Sequence, residues 1–202
     1  MEQTAEICYY ISMNNKISSL AFKCRGLFWG VFALGFLVFP GTFSLTRYCL
    51  GLLFVFAGQA VRLWAAGYIP EYRTEVIGAP KLVTSGPYAY VRNPLYAGNF
   101  IMGIGWAVMA GWGWVIAFCA AFFVLYCLII IPAEEEFLGG KFGEQYAAYK
   151  KSVNALFPKF CIPVVAAEDV FKFSTAFALE KYSVRMHVLI TVLLTLRLIF
   201  IR

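Results

Sequence analysis

Charged residues divide the chain into long apolar stretches separated by short polar segments. Gly26–Thr46 contains no charge, and Tyr48–Ile69 contains only Arg62. Asn93–Ala133 runs for 41 residues without a charge, about twice what one α-helix needs to cross the ~30 Å hydrocarbon core of a bilayer. Val184–Ile201 is apolar apart from two arginines and the only histidine. The pattern predicts membrane-spanning helices.

The long charge-free stretch has glycines and tryptophans at its centre, in Gly111–Trp114. Glycine permits a turn and tryptophan favours the membrane interface, so we predict a tight helical hairpin with spans Leu95–Ala110 and Trp114–Ile131. The last stretch, Val184–Ile201, either crosses the bilayer or lies along its surface. The predicted fold is an all-α, polytopic integral membrane bundle of about five transmembrane helices.

Composition supports a membrane protein, since 61% of the residues are hydrophobic and 14% are charged. The net charge of +6 is explained by basic cytoplasmic loops rather than by nucleic-acid binding, for which no basic motif with interleaved aromatics is present. With the N-terminus inside, 13 of the 17 basic residues are cytoplasmic. The six cysteines form no CxxC or Cys/His pattern, so no metal is expected.

Two polar segments flank the hairpin and share the cytoplasmic face. Turn signals at Gly86-Pro87 and Asn93-Pro94 place Arg92 at the mouth of the hairpin. Pro132 is predicted to end or kink the fourth span, and Glu134–Glu136 follow it directly. The hairpin therefore returns three carboxylates to the neighbourhood of Arg92. Anchoring of helix ends in the headgroup region is the alternative explanation for Arg92 and the tyrosines around it, Tyr88, Tyr90 and Tyr96.

An amphipathic helix follows the carboxylates and is predicted to roof a site beside them. It is indicated by aromatic and aliphatic residues at helical spacing: Leu138, Phe142, Tyr146 and Tyr149.

The order and spacing of these motifs over Lys81–Pro158 resemble the isoprenylcysteine carboxyl methyltransferase family. The matching positions are Leu82-Val83, Gly86, Tyr88, Arg92-Asn93-Pro94, Tyr96, Gly98, Glu134-Glu135, Leu138, Phe142-Gly143, Tyr146, Tyr149 and Leu156-Phe157-Pro158. One position departs from the pattern, because many members have histidine where this chain has Asn93. Asparagine keeps hydrogen-bonding capacity but has no titratable group.

The resemblance implies a methyltransferase that uses S-adenosylmethionine, releases S-adenosylhomocysteine and has its cofactor pocket on the cytoplasmic side. It implies the cofactor-binding residues Leu82, Val83, Gly86, Tyr88, Asn93, Pro94, Tyr96, Glu134 and Glu135. Arg92 and Glu135 are the catalytic candidates. The planar guanidinium of Arg92 suits a carboxylate acceptor, whereas an amine or thiol acceptor requires a base, for which Glu135 is the candidate.

The acceptor implied by the resemblance is lipophilic, a carboxylate of isoprenylcysteine type reached from the bilayer. Phospholipid N-methylation and small-thiol methylation are alternatives within the same class. An NADPH-dependent sterol-type reductase and a non-catalytic membrane scaffold are more distant ones. The bilayer itself and the lipidated acceptor are the expected partners; no obligate protein partner is inferred.

Two charged residues, Arg62 and Glu180, lie in or next to apolar stretches, and the sequence allows more than one role for each. Arg62, with Gln59 on the second span, is a candidate wall of the acceptor route, or else pairs with a backbone carbonyl or with Glu71. Glu180 is expected to be a solvated charge rather than a substrate contact.

The organisation predicted from these segments has four parts. Residues 1–25 form a cytoplasmic N-terminal segment, and residues 26–80 contain the first two spans and their loop. Residues 81–158 form the methyltransferase core, and residues 159–202 a linker and the C-terminal span.

Overall fold

A computed structural model describes residues 25–69, 81–158 and 169–200. Its α-helices, in chain order, are α1 (Arg25–Val38), α2 (Leu45–Ala66), α3 (Pro94–Ala110), α4 (Trp112–Phe122), α5 (Ile131–Ser152) and α6 (Phe173–Phe200). A 3-10 turn covers Gly86–Ala89, and a π-helical segment, Phe123–Ile130, joins α4 to α5. The only β feature within these three ranges is an isolated bridge between Val91 and Asn154, so the all-α prediction is confirmed.

Three helical stretches are long and apolar enough to cross a membrane: α2, α6 and Trp112–Ser152. The last of these has 41 residues, about twice what one crossing needs, and it is interrupted at the non-helical Gly143, so its apolar part up to Ile131 is the candidate span. α1 and α3 are shorter apolar helices. The described residues therefore contain five apolar helical segments, of which three are long enough to cross a membrane; about five transmembrane helices stays a prediction.

Two predicted span boundaries differ from the structure. The first span, expected over Gly26–Thr46, is a helix of 14 residues that ends at Val38, because Pro40-Gly41 follows and proline cannot continue a helix. The last span begins at Phe173 rather than near Val184. Its additional N-terminal turns carry Glu180 inside the helix.

The predicted hairpin is present, with its turn at Gly111. This residue has φ 139° and ψ 156°, a conformation that glycine adopts because it has no Cβ. The turn is tied to the loop after α1, since the Gly41 N–H donates to the Ala110 carbonyl at 2.6 Å and the Trp114 indole donates to the Phe39 carbonyl at 2.9 Å. The two ends of the hairpin away from this turn, the start of α3 and the start of α5, therefore lie close together on the side of the bundle opposite Gly111.

α2 and α3 are in close contact along facing glycines. A Cβ added to Gly58 would lie 2.6 Å from the Gly98 carbonyl oxygen, and one added to Gly51 would lie 2.5 Å from that of Gly105. Small residues that let backbones approach are the usual basis of helix association in membranes. This contact fixes the second span against the hairpin.

An aromatic core joins α1 to the hairpin, and an apolar surface surrounds it. The fully buried aromatic residues are Phe36, Trp106, Phe118, Phe122 and Tyr126. Large apolar side chains on the outside remain exposed, among them Leu53, Ile116 and Phe177. An apolar exterior around a packed interior is the arrangement expected of a protein whose solvent is lipid.

Pro132 was predicted to end or kink the fourth span, but the helix continues through it as the start of α5. The eight residues before Ile131 are π-helical. A π segment shifts the backbone hydrogen-bond register, and this accommodates a residue that has no N–H to donate. The acidic residues therefore lie on the same helical stretch as α4, directly after the π-helical segment.

Candidate active site

The two open ends of the hairpin bring Arg92 and Glu135 into contact. Arg92 lies two residues before Pro94, the first residue of α3, and Glu135 lies in the first turns of α5. The Arg92 Nε and Nη2 atoms donate to Glu135 Oε1 at 2.9 and 2.5 Å. Both side chains are 9% exposed. The two catalytic candidates, 43 residues apart in the chain, thus form one buried ion pair.

Glu135 has a second cationic partner that the sequence did not indicate. The Lys150 ammonium lies 2.8 Å from Glu135 Oε2, so each carboxylate oxygen faces a different cation. Lys150 is 52% exposed, and this pair is partly screened by solvent. Lysines are common in the last turn of a helix, so the sequence gives no sign that Lys150 pairs with Glu135; the contact is visible only in the folded structure.

Arg92 also holds the end of α5. Its Nη1 atom donates to the Lys150 carbonyl at 3.1 Å and to the Val153 carbonyl. These carbonyls belong to the last turn of a helix, where no intrahelical donor is available. Arg92 therefore has a structural role beside any chemical one.

The loop after α5 pairs with the backbone around Arg92. The Arg92 N–H donates to the Asn154 carbonyl at 2.8 Å, and the Asn93 N–H to the Ala155 carbonyl at 3.0 Å. The Asn93 side-chain amide donates to that same Ala155 carbonyl at 3.2 Å. Asparagine at this position fastens the loop, a contact that needs only an N–H donor.

Glu134 lies on the other side of the ion pair and contacts α3. The Tyr96 hydroxyl donates to Glu134 Oε1 at 2.6 Å and accepts from Arg25 of α1 at 3.4 Å. Arg25 was assigned only to the N-terminal segment by the sequence. The structure connects it with the predicted cofactor-binding pair of Tyr96 and Glu134.

The remaining predicted cofactor-binding residues lie in the loop and turn before α3. Leu82 is buried against Tyr146, Tyr149 and Val153, with Leu138 and Phe142 packed alongside. This confirms that the amphipathic face of α5 covers the loop. The Tyr149 hydroxyl donates to the Tyr88 carbonyl at 2.5 Å.

Gly86 and Pro94 shape the backbone of this segment. Gly86 has φ +59°, and a Cβ there would lie 2.3 Å from the Tyr68 ring. Pro94 is buried as the first residue of α3. Val83 lies between Leu82 and the turn and is half-buried. The segment is anchored at its start because Asp169 pairs with Lys81 and accepts from the Ser85 hydroxyl at 3.3 Å.

A separate polar cluster lies between α2, α3 and α6. Arg62 donates to both oxygens of Glu180, at 2.9 and 2.6 Å, and to the Asn99 side chain at 2.5 Å. The expectation of a solvated Glu180 is wrong, since the residue is 4% exposed. The alternative partner considered for Arg62, Glu71, lies outside the described residues.

Comparison with known proteins gives a family for about half of the chain. Residues 46–145 match the family model described as phospholipid methyltransferase. This range contains α2, the loop with Arg92, the hairpin and the acidic start of α5. No solved structure matches the chain.

Three curated relatives illustrate the range of similar proteins. A cobalt-zinc-cadmium resistance protein of Cupriavidus metallidurans is 35% identical over 56% of this chain and 50% of its own length. A steroid 5-alpha-reductase of Solanum lycopersicum is 31% identical over 53% of this chain and 41% of its own. A protein-S-isoprenylcysteine O-methyltransferase of Schizosaccharomyces pombe is 36% identical over 38% of this chain and 33% of its own. The chain therefore spans half or less of these relatives.

Proposed function

We propose that this chain, whose residues 46–145 belong to the phospholipid methyltransferase family, transfers a methyl group from S-adenosylmethionine to a lipophilic acceptor. The family model supports the family-level resemblance found in the motifs, and it favours a membrane methyltransferase. The cofactor and the acceptor are our proposals. The observation that supports them best is the buried contact between Arg92 and Glu135, formed from the two ends of the hairpin.

The side chains around this contact fit the proposed cofactor. S-adenosylmethionine carries a sulfonium, an ammonium, a carboxylate and hydroxyl groups. The carboxylates of Glu134 and Glu135 suit the ammonium and the ribose hydroxyls, and they balance the sulfonium charge. The buried hydroxyl of Tyr146 makes no hydrogen bond with the described residues and offers a donor. The apolar side chain of Leu82 and the backbone of Val83 suit the adenine.

When bound, S-adenosylmethionine supplies an electrophilic methyl group, and its sulfur leaves as a neutral thioether. The chain then has to align an acceptor atom with that methyl, because alignment contributes much of the rate of an in-line displacement. Packing of α5 over the loop excludes water from the site. The rigid contacts of Arg92 and Asn93 with residues 153–155 hold both sides of the site in register.

A carboxylate is the acceptor that these contacts favour. It is already nucleophilic at neutral pH and needs no base. An amine or thiol would have to lose a proton, but both oxygens of Glu135 already accept hydrogen bonds from Arg92 and Lys150. The proposed acceptor is therefore a prenylcysteine-type carboxylate, with its lipid tail in the bilayer. Phospholipid N-methylation is the second candidate, favoured by the description of the matching family model.

We further propose that the site faces the cytoplasm, together with the N-terminus. Arg92, Lys150 and the residues around them lie at the open end of the hairpin, opposite Gly111, and the basic residues of the sequence concentrate at that end. A polar cofactor then enters from the cytoplasm and the acceptor from the bilayer.

Calorimetry and a methylation assay on the purified protein test this proposal together. We expect binding of S-adenosylhomocysteine and not of NADPH. With labelled S-adenosylmethionine, we expect methylation of a farnesylated cysteine bearing a free carboxylate. Methylation of phosphatidylethanolamine in vesicles, and not of the farnesylated cysteine, would show that the acceptor is a lipid amine and not a carboxylate. NADPH binding would indicate a reductase, and binding of neither ligand would indicate a scaffold.

A further inference from the structure

Asp169 lies shortly before α6 and contacts both ends of a short piece of the loop before α3, Lys81–Ser85. Its Oδ1 atom pairs with the Lys81 ammonium, and its Oδ2 atom accepts from the Ser85 hydroxyl at 3.3 Å. The Asp169 side chain is 13% exposed. One carboxylate, largely shielded from solvent, thus bridges the two ends of this loop segment.

The bridged segment contains two of the proposed adenine contacts, Leu82 and Val83. Residues 81–85 belong to no helix or strand, so no regular backbone ladder sets their conformation. Leu82 is fixed by packing against the inner face of α5. The Asp169 carboxylate adds a second constraint, which acts on the ends of the segment.

The residues that follow this carboxylate support the neighbouring turn. The centroid of the Phe171 ring lies 5.8 Å from that of the Tyr68 ring. Tyr68 in turn fills the space beside Gly86, where a Cβ would lie 2.3 Å from its ring. The Lys172 N–H donates to the Gly67 carbonyl at 2.9 Å. The stretch before α6 therefore contacts the loop directly and also through the residues that follow α2.

These contacts come from outside the part of the chain that matches the family model, residues 46–145. The helix that follows Asp169 has a fixed position of its own, because Glu180 of α6 pairs with Arg62 of α2. The Asp169 carboxylate is therefore held from both sides, by the loop and by α6.

We propose that Asp169 is a positioning residue that keeps Leu82 and Val83 in the conformation that receives the adenine part of the cofactor. This inference rests on the proposed function. Without the bridge the loop populates other conformations, and the apparent affinity for a ligand falls with the fraction of molecules able to bind it. The contacts described for Arg92 and Glu135 do not involve Asp169. Asp169 should therefore act on cofactor binding and not on the transfer step.

The variant Asp169→Ala tests this role, with Glu144→Ala as the matched control. Loss of both contacts should raise the Kd of S-adenosylhomocysteine and the KM of S-adenosylmethionine about 10-fold. The kcat at saturating cofactor should stay within about threefold of the wild type, because the loop is then held by the ligand. Glu144→Ala removes an exposed carboxylate of α5 and should leave all three constants unchanged.

A conservative variant separates positioning from folding. Asp169→Asn keeps an oxygen for the Ser85 hydroxyl and loses only the charge beside Lys81. Its Kd and KM should rise less than those of Asp169→Ala, and it provides the same measurement if the alanine variant does not fold. An increase as large as that of Asp169→Ala would show that the bridge to Ser85 contributes nothing and would overturn the two-ended contact.

A double variant tests whether Asp169 acts through Lys81. Lys81→Met removes the cation and keeps a long side chain. Because both substitutions break the same contact, Asp169→Ala combined with Lys81→Met should weaken cofactor binding little more than Asp169→Ala alone. Losses that multiply in the double variant would mean that the two residues act separately, which contradicts the bridge.

Hydrogen exchange gives a readout that needs no ligand. Amides of residues 81–88 should exchange faster in Asp169→Ala than in the wild type, while those of α2 and α3 should be unchanged. Unchanged exchange in the loop would show that the carboxylate does not hold it, and the inference would fail.

Failure of this inference is distinguishable from failure of the proposed function. If the wild type binds S-adenosylhomocysteine and Asp169→Ala binds it equally well, the positioning role is overturned and the proposed function stands. The same conclusion follows if kcat falls and KM does not change. If the wild type does not bind S-adenosylhomocysteine, the proposed function fails, and the role given to Asp169 fails with it.

Discussion

Arg62 of α2 and Glu180 of α6 form a bidentate ion pair. The two residues are 118 positions apart in the chain. Their side chains are 12% and 6% exposed. The pair lies beside Asn99 of α3, which accepts from the second Nη atom of Arg62. The last helix is thus fixed to the family-matched part of the chain by a polar contact within a largely apolar bundle.

Breaking this pair from one side should be more harmful than removing it altogether. Arg62→Leu or Glu180→Leu leaves one charge buried without its partner, which typically costs about 3–5 kcal/mol. The double variant leaves no such charge and should unfold closer to the wild type than either single variant. Unfolding in detergent, followed by circular dichroism, measures the three free-energy differences.

Arg185, an exposed arginine of α6, provides the control. Arg185→Leu should change the free energy of unfolding by less than about 1 kcal/mol, because the Arg185 side chain is exposed and forms no ion pair with the described residues. Losses that simply add in the double variant would contradict coupling between Arg62 and Glu180.

Conservative changes at the central ion pair should remove activity while preserving the fold. Arg92→Lys keeps the charge but loses the planar fork, and Glu135→Gln keeps the shape but loses the charge. A small displacement of a positioning group can reduce turnover by about 100-fold, and we expect at least that loss of methyl transfer for both variants. Arg92→Ala should in addition destabilise the end of α5, because the Lys150 and Val153 carbonyls lose their donor.

Methyl transfer to a farnesylated cysteine, together with melting temperatures, checks these effects. Lys151→Ala is the matched control, since Lys151 is exposed next to Lys150 and should retain activity. Near wild-type turnover in a folded Arg92→Lys or Glu135→Gln variant would remove that residue from the proposed mechanism.

The close approach of α2 and α3 predicts opposite effects of two glycine substitutions. Gly58→Ala places a Cβ 2.6 Å from the Gly98 carbonyl oxygen, so the helices must separate, and overpacking of this kind typically costs about 1–3 kcal/mol. Gly30→Ala on α1 meets nothing within 4 Å and should be neutral or slightly stabilising. Melting temperatures of the two variants in detergent test this difference; equal behaviour would contradict the helix contact.

The proposed orientation predicts that two exposed positions label from opposite sides of the membrane. In a chain with its native cysteines replaced by alanine, Lys151→Cys should react with an impermeant maleimide from the cytoplasmic side. Gly113→Cys, at the turn of the hairpin, should react from the other side. Right-side-out and inside-out vesicles distinguish the two. Labelling of both positions from one side would show that the hairpin does not cross, and the reverse pattern would invert the topology.

Sequence length and charge alone determined the central geometry of this protein. A charge-free stretch of 41 residues with glycines at its midpoint has to fold back if it is to stay within a bilayer. Its two polar ends, with Arg92 and Glu135, therefore come together. The glycine at position 111 and the amphipathic face of α5 were predictable for the same reason, because each follows from local conformation or periodicity.

Only the tertiary structure decided which charges are paired. Glu180 looks like any acidic residue near a helix start, yet it is buried against Arg62, because α6 begins at Phe173, well before the predicted span from Val184, and packs beside α2. The second cation on Glu135 likewise depends on how α5 bends at Gly143 and returns to the loop. The same bend sets the direction of the turn that carries both Tyr146 and Tyr149. Such contacts join residues far apart in the chain. Which residues pair depends on their burial and on the distance between them in the fold, and the order of residues along the sequence contains neither.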